Sequence, residues 1–189
     1  MANPSTIAPS GIVTACDRRL AIEHWLLSAC SSADRARMEW QQHGITMLRL
    51  GGVFSAVRLP GRLVYAAAAS ARPDDVDPFL EDALDGGPVI CDPHGPRYYA
   101  LVPAGMPRKW RAAADDWEPL GVECLGHGAY MGVPRVTAVE HNPNWASYWS
   151  VPMPSAGVLC PPLALARLIA EGARRLAEAT PTLVIGPRP

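Results

Sequence analysis

The sequence predicts a single α+β domain in which helices flank a mixed or antiparallel sheet, and three observations carry that reading. At 189 residues the chain is long enough for one substantial core without disulfide or metal staples. Its 20 Pro and 16 Gly exclude a helical bundle or coiled coil, because so many breakers demand short elements. Helical patterning dominates the first half and the C-terminal end, whereas the stretch from Pro88 reads as strand and turn.

Taken in order, residues 1–16 read as a flexible leader. Val13-Thr14-Ala15-Cys16 has the letters of a lipoprotein cleavage box, but no Lys or Arg precedes it and Pro9, Ser10 and Gly11 break the apolar run. The folded domain is expected over 17–178. A first helix runs from Arg18 to Ala29 with Asp17 as its cap, placing Leu20, Ala21, Trp25, Leu26 and Ala29 on one face. Ser31 and Asp34 form a capping-box pattern opening a second helix, which Gly44 stops. Ile45–Leu50 and Val53–Leu59 read as strands joined by a hairpin-type turn at Gly51-Gly52. Arg62–Ala71 and Asp75–Leu84 are helical by composition.

Beyond Pro88, Val89–Cys91 and Tyr98–Pro103 read as a hairpin around Pro93–Pro96. Residues 104–119 form a Pro/Trp/Arg-rich excursion, expected as a solvated loop whose tryptophans pack on the sheet. Gly121–Leu125, Tyr130–Val133, Val136–Val139 and Trp145–Val151 are the remaining strand candidates. Pro161-Pro162 introduces an amphipathic helix with Leu163, Leu165, Leu168, Ile169 and Leu176 inward. Residues 179–189 read as a tail.

Charge and cysteine usage narrow the function. Seventeen basic against 18 acidic residues exclude a basic nucleic-acid arm or an acidic tail as the main device. Cys16, Cys30, Cys91, Cys124 and Cys160 are an odd set without close spacing, so there is no CxxC pair and no zinc knuckle. Such thiols point to a reducing compartment, and the chain is expected in the cytoplasm and off the membrane. No P-loop, GxGxxG or nucleophile elbow is present.

Four stretches in this order carry a resemblance: Trp40 through Gly51-Gly52; Val53-Phe54-Ser55-Ala56-Val57-Arg58-Leu59-Pro60; Asp92-Pro93-His94-Gly95-Pro96-Arg97-Tyr98-Tyr99; and Gly121-Val122-Glu123-Cys124-Leu125-Gly126-His127-Gly128-Ala129-Tyr130 leading to Pro134. Together they resemble the bifunctional primase/polymerase domain of the archaeo-eukaryotic primase superfamily, over about residues 20 to 150. The resemblance implies a primase/polymerase-like fold with an RRM-like core, and nucleotidyl transfer through metal-bound carboxylates. This chain departs from that pattern where the chemistry lies. Val57, Arg58 and Leu59 stand in place of the acidic pair, and no Asp or Glu occurs between Glu39 and Asp74. Tyr98 holds the place of the catalytic His, and Glu123 alone retains an acid. An arginine in a metal ligand's place repels a cation.

The leading expectation is therefore a catalytically degenerate domain without a cofactor, binding a nucleotide, a nucleic acid or a protein partner in the old cleft. Arg58, Arg97, Tyr98 and Glu123 are its expected floor, the arginines gripping phosphate or else pairing with carboxylates, Arg58 with Glu123. Arg108, Lys109, Trp110 and Arg111 are a candidate nucleic-acid loop, though Asp115, Asp116 and Glu118 follow at once. Asp92, His94, Glu123 and His127 are weak metal candidates that would make the chain a metalloenzyme, or an active nucleotidyltransferase with a relocated site, instead. A purely structural or interaction protein, using the C-terminal helix or the Trp110 excursion, is the remaining class. Trp145, Tyr148 and Trp149 read first as core and second as a binding platform.

Overall fold

The first two helices are set by short-range hydrogen bonding, and each buries one stripe. In the computed structural model, which describes residues 14–179, α1 (Ala15–Leu27) opens with a capping box. The Thr14 hydroxyl accepts from the Asp17 N–H at 3.1 Å, and the Asp17 carboxylate accepts from the Thr14 N–H at 2.9 Å. The Thr14 hydroxyl also donates to the Asp17 carboxylate at 2.7 Å, and that bond, with the one from the Thr14 N–H, holds the Asp17 carboxyl below its ordinary range. Asp17 is thus the third helical residue and not the cap, and the helix begins inside the expected leader. The rest of that leader (1–13) and the expected tail from 180 lie outside the described residues.

The buried stripe of α1 is Ile22, Leu26 and Leu27 with Trp25 partly covered, while Leu20 and Ala21 face solvent. In α2 (Ala33–His43) the cap is Ser32, one residue later than the expected Ser31, and Gly44 ends the helix at φ +72°. Trp40 is buried and donates from Nε1 to the Val133 carbonyl at 2.9 Å, tying α2 to a strand 93 residues away.

Among the described residues seven strands form two antiparallel sheets. β1 (Ile45–Arg49) pairs with β6 (Tyr130–Pro134) as a two-stranded ribbon. β2 (Phe54–Pro60), β3 (Val89–Asp92), β4 (Arg97–Pro103), β5 (Glu123–Leu125) and β7 (Tyr148–Val151) form a sheet in the order β5-β2-β4-β3-β7. The β3–β4 hairpin is as the sequence predicts. The Gly51-Gly52 hairpin is not: β1 and β2 part company there and pair with different strands. A Cβ on Gly51 (φ +87°) would lie 2.5 Å from the backbone of His127. That glycine therefore serves a close crossing of two chain segments. Likewise β5 and β6 do not pair with each other across Gly126–Gly128. Val136–Val139 is a turn segment, and only the Ala138 carbonyl reaches β7, accepting from the Trp149 N–H at 2.7 Å.

Side-chain alternation along the five-stranded sheet builds two cores. One face carries Val57, Leu59, Val89, Cys91, Tyr98, Ala100 and Val102. It packs under α3 (Gly61–Ala68), α4 (Pro73–Ala83) and α7 (Pro162–Ala179). The other face carries Phe54, Ala56, Ile90 and Leu101, covered by α1, α2 and the buried side of the ribbon. Trp25 stacks on Phe54 there at 5.7 Å. On α7, Leu165, Leu168 and Ile169 are buried as expected, but Leu163 in the first turn is 64% exposed. The excursion is folded: α5 (Met106–Lys109), α6 (Arg111–Trp117) and a 3₁₀ turn (Glu118–Leu120). Pro107 and Pro119 fall in the first turns of their segments, where the missing N–H costs nothing. Among the described residues no helix is long and apolar enough to cross a membrane.

Candidate functional site

Arg58 projects from β2 on the face opposite Val57 and Leu59, and pairing sets its neighbours. Glu123 on β5 and Tyr99 on β4 are its register partners. The guanidinium forms an ion pair with the Glu123 carboxylate, both side chains remaining partly exposed. The pairing expected from the sequence is therefore present, and it places a positive and a negative group side by side.

Arg58 lies at one end of a cleft of about 440 Å³ between the sheet and the β1–β6 ribbon. Tyr99, Ile90, Asp92 and Leu125 come from the sheet, Ile45, Tyr130, Met131 and Gly132 from the ribbon, and Ala146 and Ser147 from the approach to β7. Its size falls in the roughly 300–1,000 Å³ range of ligand sites. Tyr130, 61% exposed, and half-buried Tyr99 give the walls aromatic surface beside one cation. On the far side of Arg58 a separate depression is lined by Asp115, Glu118 and Glu123. The Tyr99 side presents one carboxylate, Asp92, against three on the other, so an anion approaches Arg58 more favourably from the Tyr99 side.

Several expected floor residues lie elsewhere. Tyr98 is buried on the opposite face, under α3 and α4, because alternation sends its neighbour Tyr99 toward Arg58. Its ring meets Tyr65 edge-on at 6.2 Å, and burial drives its hydroxyl pKa up. Arg97 is exposed at the end of β4, opposite Pro60 and Asp92, and makes no ion pair among the described residues. Asp92 accepts from the His94 N–H at 3.0 Å and the Gly95 N–H at 3.4 Å, closing the β3–β4 turn. Asp92, His94, Glu123 and His127 are not drawn together. Glu123 is engaged by Arg58, and the two histidines are exposed on separate turns. Among the described residues no three His, Cys, Asp or Glu side chains are grouped to hold a metal.

In the excursion, Arg108, Lys109 and Arg111 are exposed and make no ion pair among the described residues, but Trp110 is half buried, 6.2 Å from Trp117 and packed on the core. The aromatic needed to stack a base there is already used in packing.

Two features escape the sequence reading. Ser147 lines the cleft, is 8% exposed, and its Oγ makes no hydrogen bond among the described residues. Leaving a buried hydroxyl unpartnered costs about 1–3 kcal/mol. The second feature is a polar strip on the other side of the sheet. Tyr148 donates to the Asp77 carboxylate at 3.1 Å, and Ser150 donates to it as well. Burial raises the Asp77 pKa despite these donors, and burial pushes the neighbouring Cys91 thiol up to about 12. Tyr148 and Trp149 are core residues, as first expected. Neither the Ser147 nor the Asp77 arrangement has a local signal, since both depend on β7 docking beside β3.

Compared with protein-family models, curated proteins and solved structures, the chain matches none.

Proposed function

We propose that this chain is a non-catalytic binding module of primase/polymerase-like descent, whose cleft takes a nucleotide. The observation that carries the reading is the Arg58–Glu123 ion pair at the end of an aromatic-walled cleft. A carboxylate committed to a guanidinium is a poor ligand for a divalent cation, and the guanidinium repels the cation that nucleotidyl transfer would need. The same guanidinium offers donors to a phosphate arriving from the Tyr99 side, with Tyr99 and Tyr130 available to a base. We place the module in the cytoplasm, a reading supported by the free, buried thiols of Cys91 and Cys160.

The test is a thermal-shift titration with nucleoside mono- and triphosphates, paired with primer-extension assays in Mg²⁺ and Mn²⁺. Nucleotide at a hundred times its dissociation constant stabilises by about 2.7 kcal/mol, a readily measured rise in midpoint. That rise is expected to disappear in Arg58→Ala, and no nucleotide is expected to be incorporated. Template-dependent extension that Glu123→Ala abolishes would overturn the reading.

A further inference from the structure

We infer that the cleft continues past Ser147 into a second subsite, so that the preferred ligand is two linked nucleotides of a single strand instead of one free nucleotide. This rests on the nucleotide reading of the Arg58 cleft. A second cavity of about 240 Å³ adjoins that cleft and shares Ile45, Ala146 and Ser147 with it. By itself it falls below the roughly 300 Å³ at which ligand sites begin, which suits part of a ligand whose remainder lies next door.

The chemistry of the second cavity matches a base and its linkage. No carboxylate lines it, and its ionisable side chains are His43 and Arg135. Arg135 has no ion-pair partner among the described residues, and its guanidinium stands over the Trp145 ring, 5.3 Å from the centroid. Trp145 is itself half buried against the core and carries the Arg135 guanidinium on its ring, so a base would stack on the guanidinium plane. Gln41 and Asn144 add exposed amides able to donate to and accept from a base edge. The C-terminal end of α2 lies at this cavity and carries the negative end of its dipole. It therefore suits the amino groups of a base better than a phosphate. Ser147 marks the junction: it lines both cavities, and its buried hydroxyl has no partner among the described residues. That hydroxyl is closed off from water, so it must turn about χ1 to meet the linking phosphate as its acceptor.

The experiment compares the four deoxynucleoside monophosphates with their 5′-phosphorylated homodinucleotides, by calorimetric titration of the full chain. At least one dinucleotide should bind about tenfold tighter than its monophosphate. Arg135→Ala and Trp145→Ala should collapse that gain, and Ser147→Ala should reduce it. Arg135 is exposed, so its removal leaves the fold intact even if Trp145→Ala does not. Equal affinity for mono- and dinucleotides, or a gain that survives Arg135→Ala, would overturn the second subsite while leaving the Arg58 cleft standing. Absence of binding to every one of these ligands would overturn both.

Discussion

Glu123→Gln separates a binding cleft from a metal-dependent one by the sign of its effect. The substitution keeps the size and the carbonyl oxygen of the side chain but removes the negative charge beside Arg58. Its cost in stability is small. The two side chains are 37% and 49% exposed, and ion pairs so open contribute about 0–1 kcal/mol. Its effect on an anionic ligand is larger. A phosphate seated on Arg58 would lie about 5 Å from the Glu123 carboxylate, a repulsion of about 1 kcal/mol in a water-like medium and about 3 kcal/mol at an effective dielectric of 20. Because the site is half open, the lower end applies, and mononucleotide affinity should rise about fivefold to tenfold at low salt. The gain should shrink as ionic strength rises, since the interaction is screened. Calorimetric titration at two salt concentrations in the presence of a chelator measures it. Weaker binding in Glu123→Gln would refute the reasoning, because it would mean that the carboxylate recruits the ligand through a cation. Unchanged affinity would mean that the phosphate does not sit at Arg58.

Other consequences concern the packing that positions the cleft. Because burial raises the Asp77 pKa, the folded chain binds that proton at higher pH than the unfolded chain, whose carboxyl has the ordinary value of 3.8. Ionised Asp77 therefore subtracts stability at neutral pH, and the penalty fades as pH falls toward the unfolded value. Asp77→Asn should raise the neutral-pH melting temperature, with the advantage vanishing at or below about pH 4; an advantage that grows on acidification would contradict this. A Cβ on Gly87 would stand 2.6 Å from Cys160 Cα and 2.9 Å from the Leu84 carbonyl. Gly87→Ala should therefore cost about 1–3 kcal/mol, and Tm unchanged within a degree would show that the segment yields freely. Burial pushes the Cys160 thiol up to about 12, whereas Cys16 is exposed. Native chain should thus react with a thiol reagent at Cys16 well before Cys160, as peptide mapping would show.

What could be read in the sequence follows the range of the interactions involved. The β3–β4 hairpin is local, since Asp92, Pro93 and Gly95 encode a turn that closes on itself through the Asp92 carboxylate. The end of α2 is legible for the same reason, because Gly44 adopts the left-handed conformation that stops a helix. The β1–β6 and β2–β5 pairings are not local. Gly51-Gly52 has the composition of a hairpin turn, yet the crossing with His127 is what demands a glycine there. Within the site, the Arg58–Glu123 pair was legible from charge and motif order. Tyr98 reads as a floor residue in the sequence, but register, not composition, decides which of two adjacent tyrosines stands beside Arg58, and it is Tyr99. Ser147 and Asp77 owe their roles to the docking of β7 on β3, which no local pattern encodes.

The central claim is that Arg58 holds a phosphate directly, without a bridging metal ion. Its most direct test is calorimetric titration of a nucleoside triphosphate into the chain, once with EDTA and once with Mg²⁺, for the wild type and for Arg58→Ala. The account predicts saturable binding in EDTA, no gain from Mg²⁺, and loss of the signal in the variant. Binding that appears only with Mg²⁺, or that Arg58→Ala leaves unchanged, would contradict it.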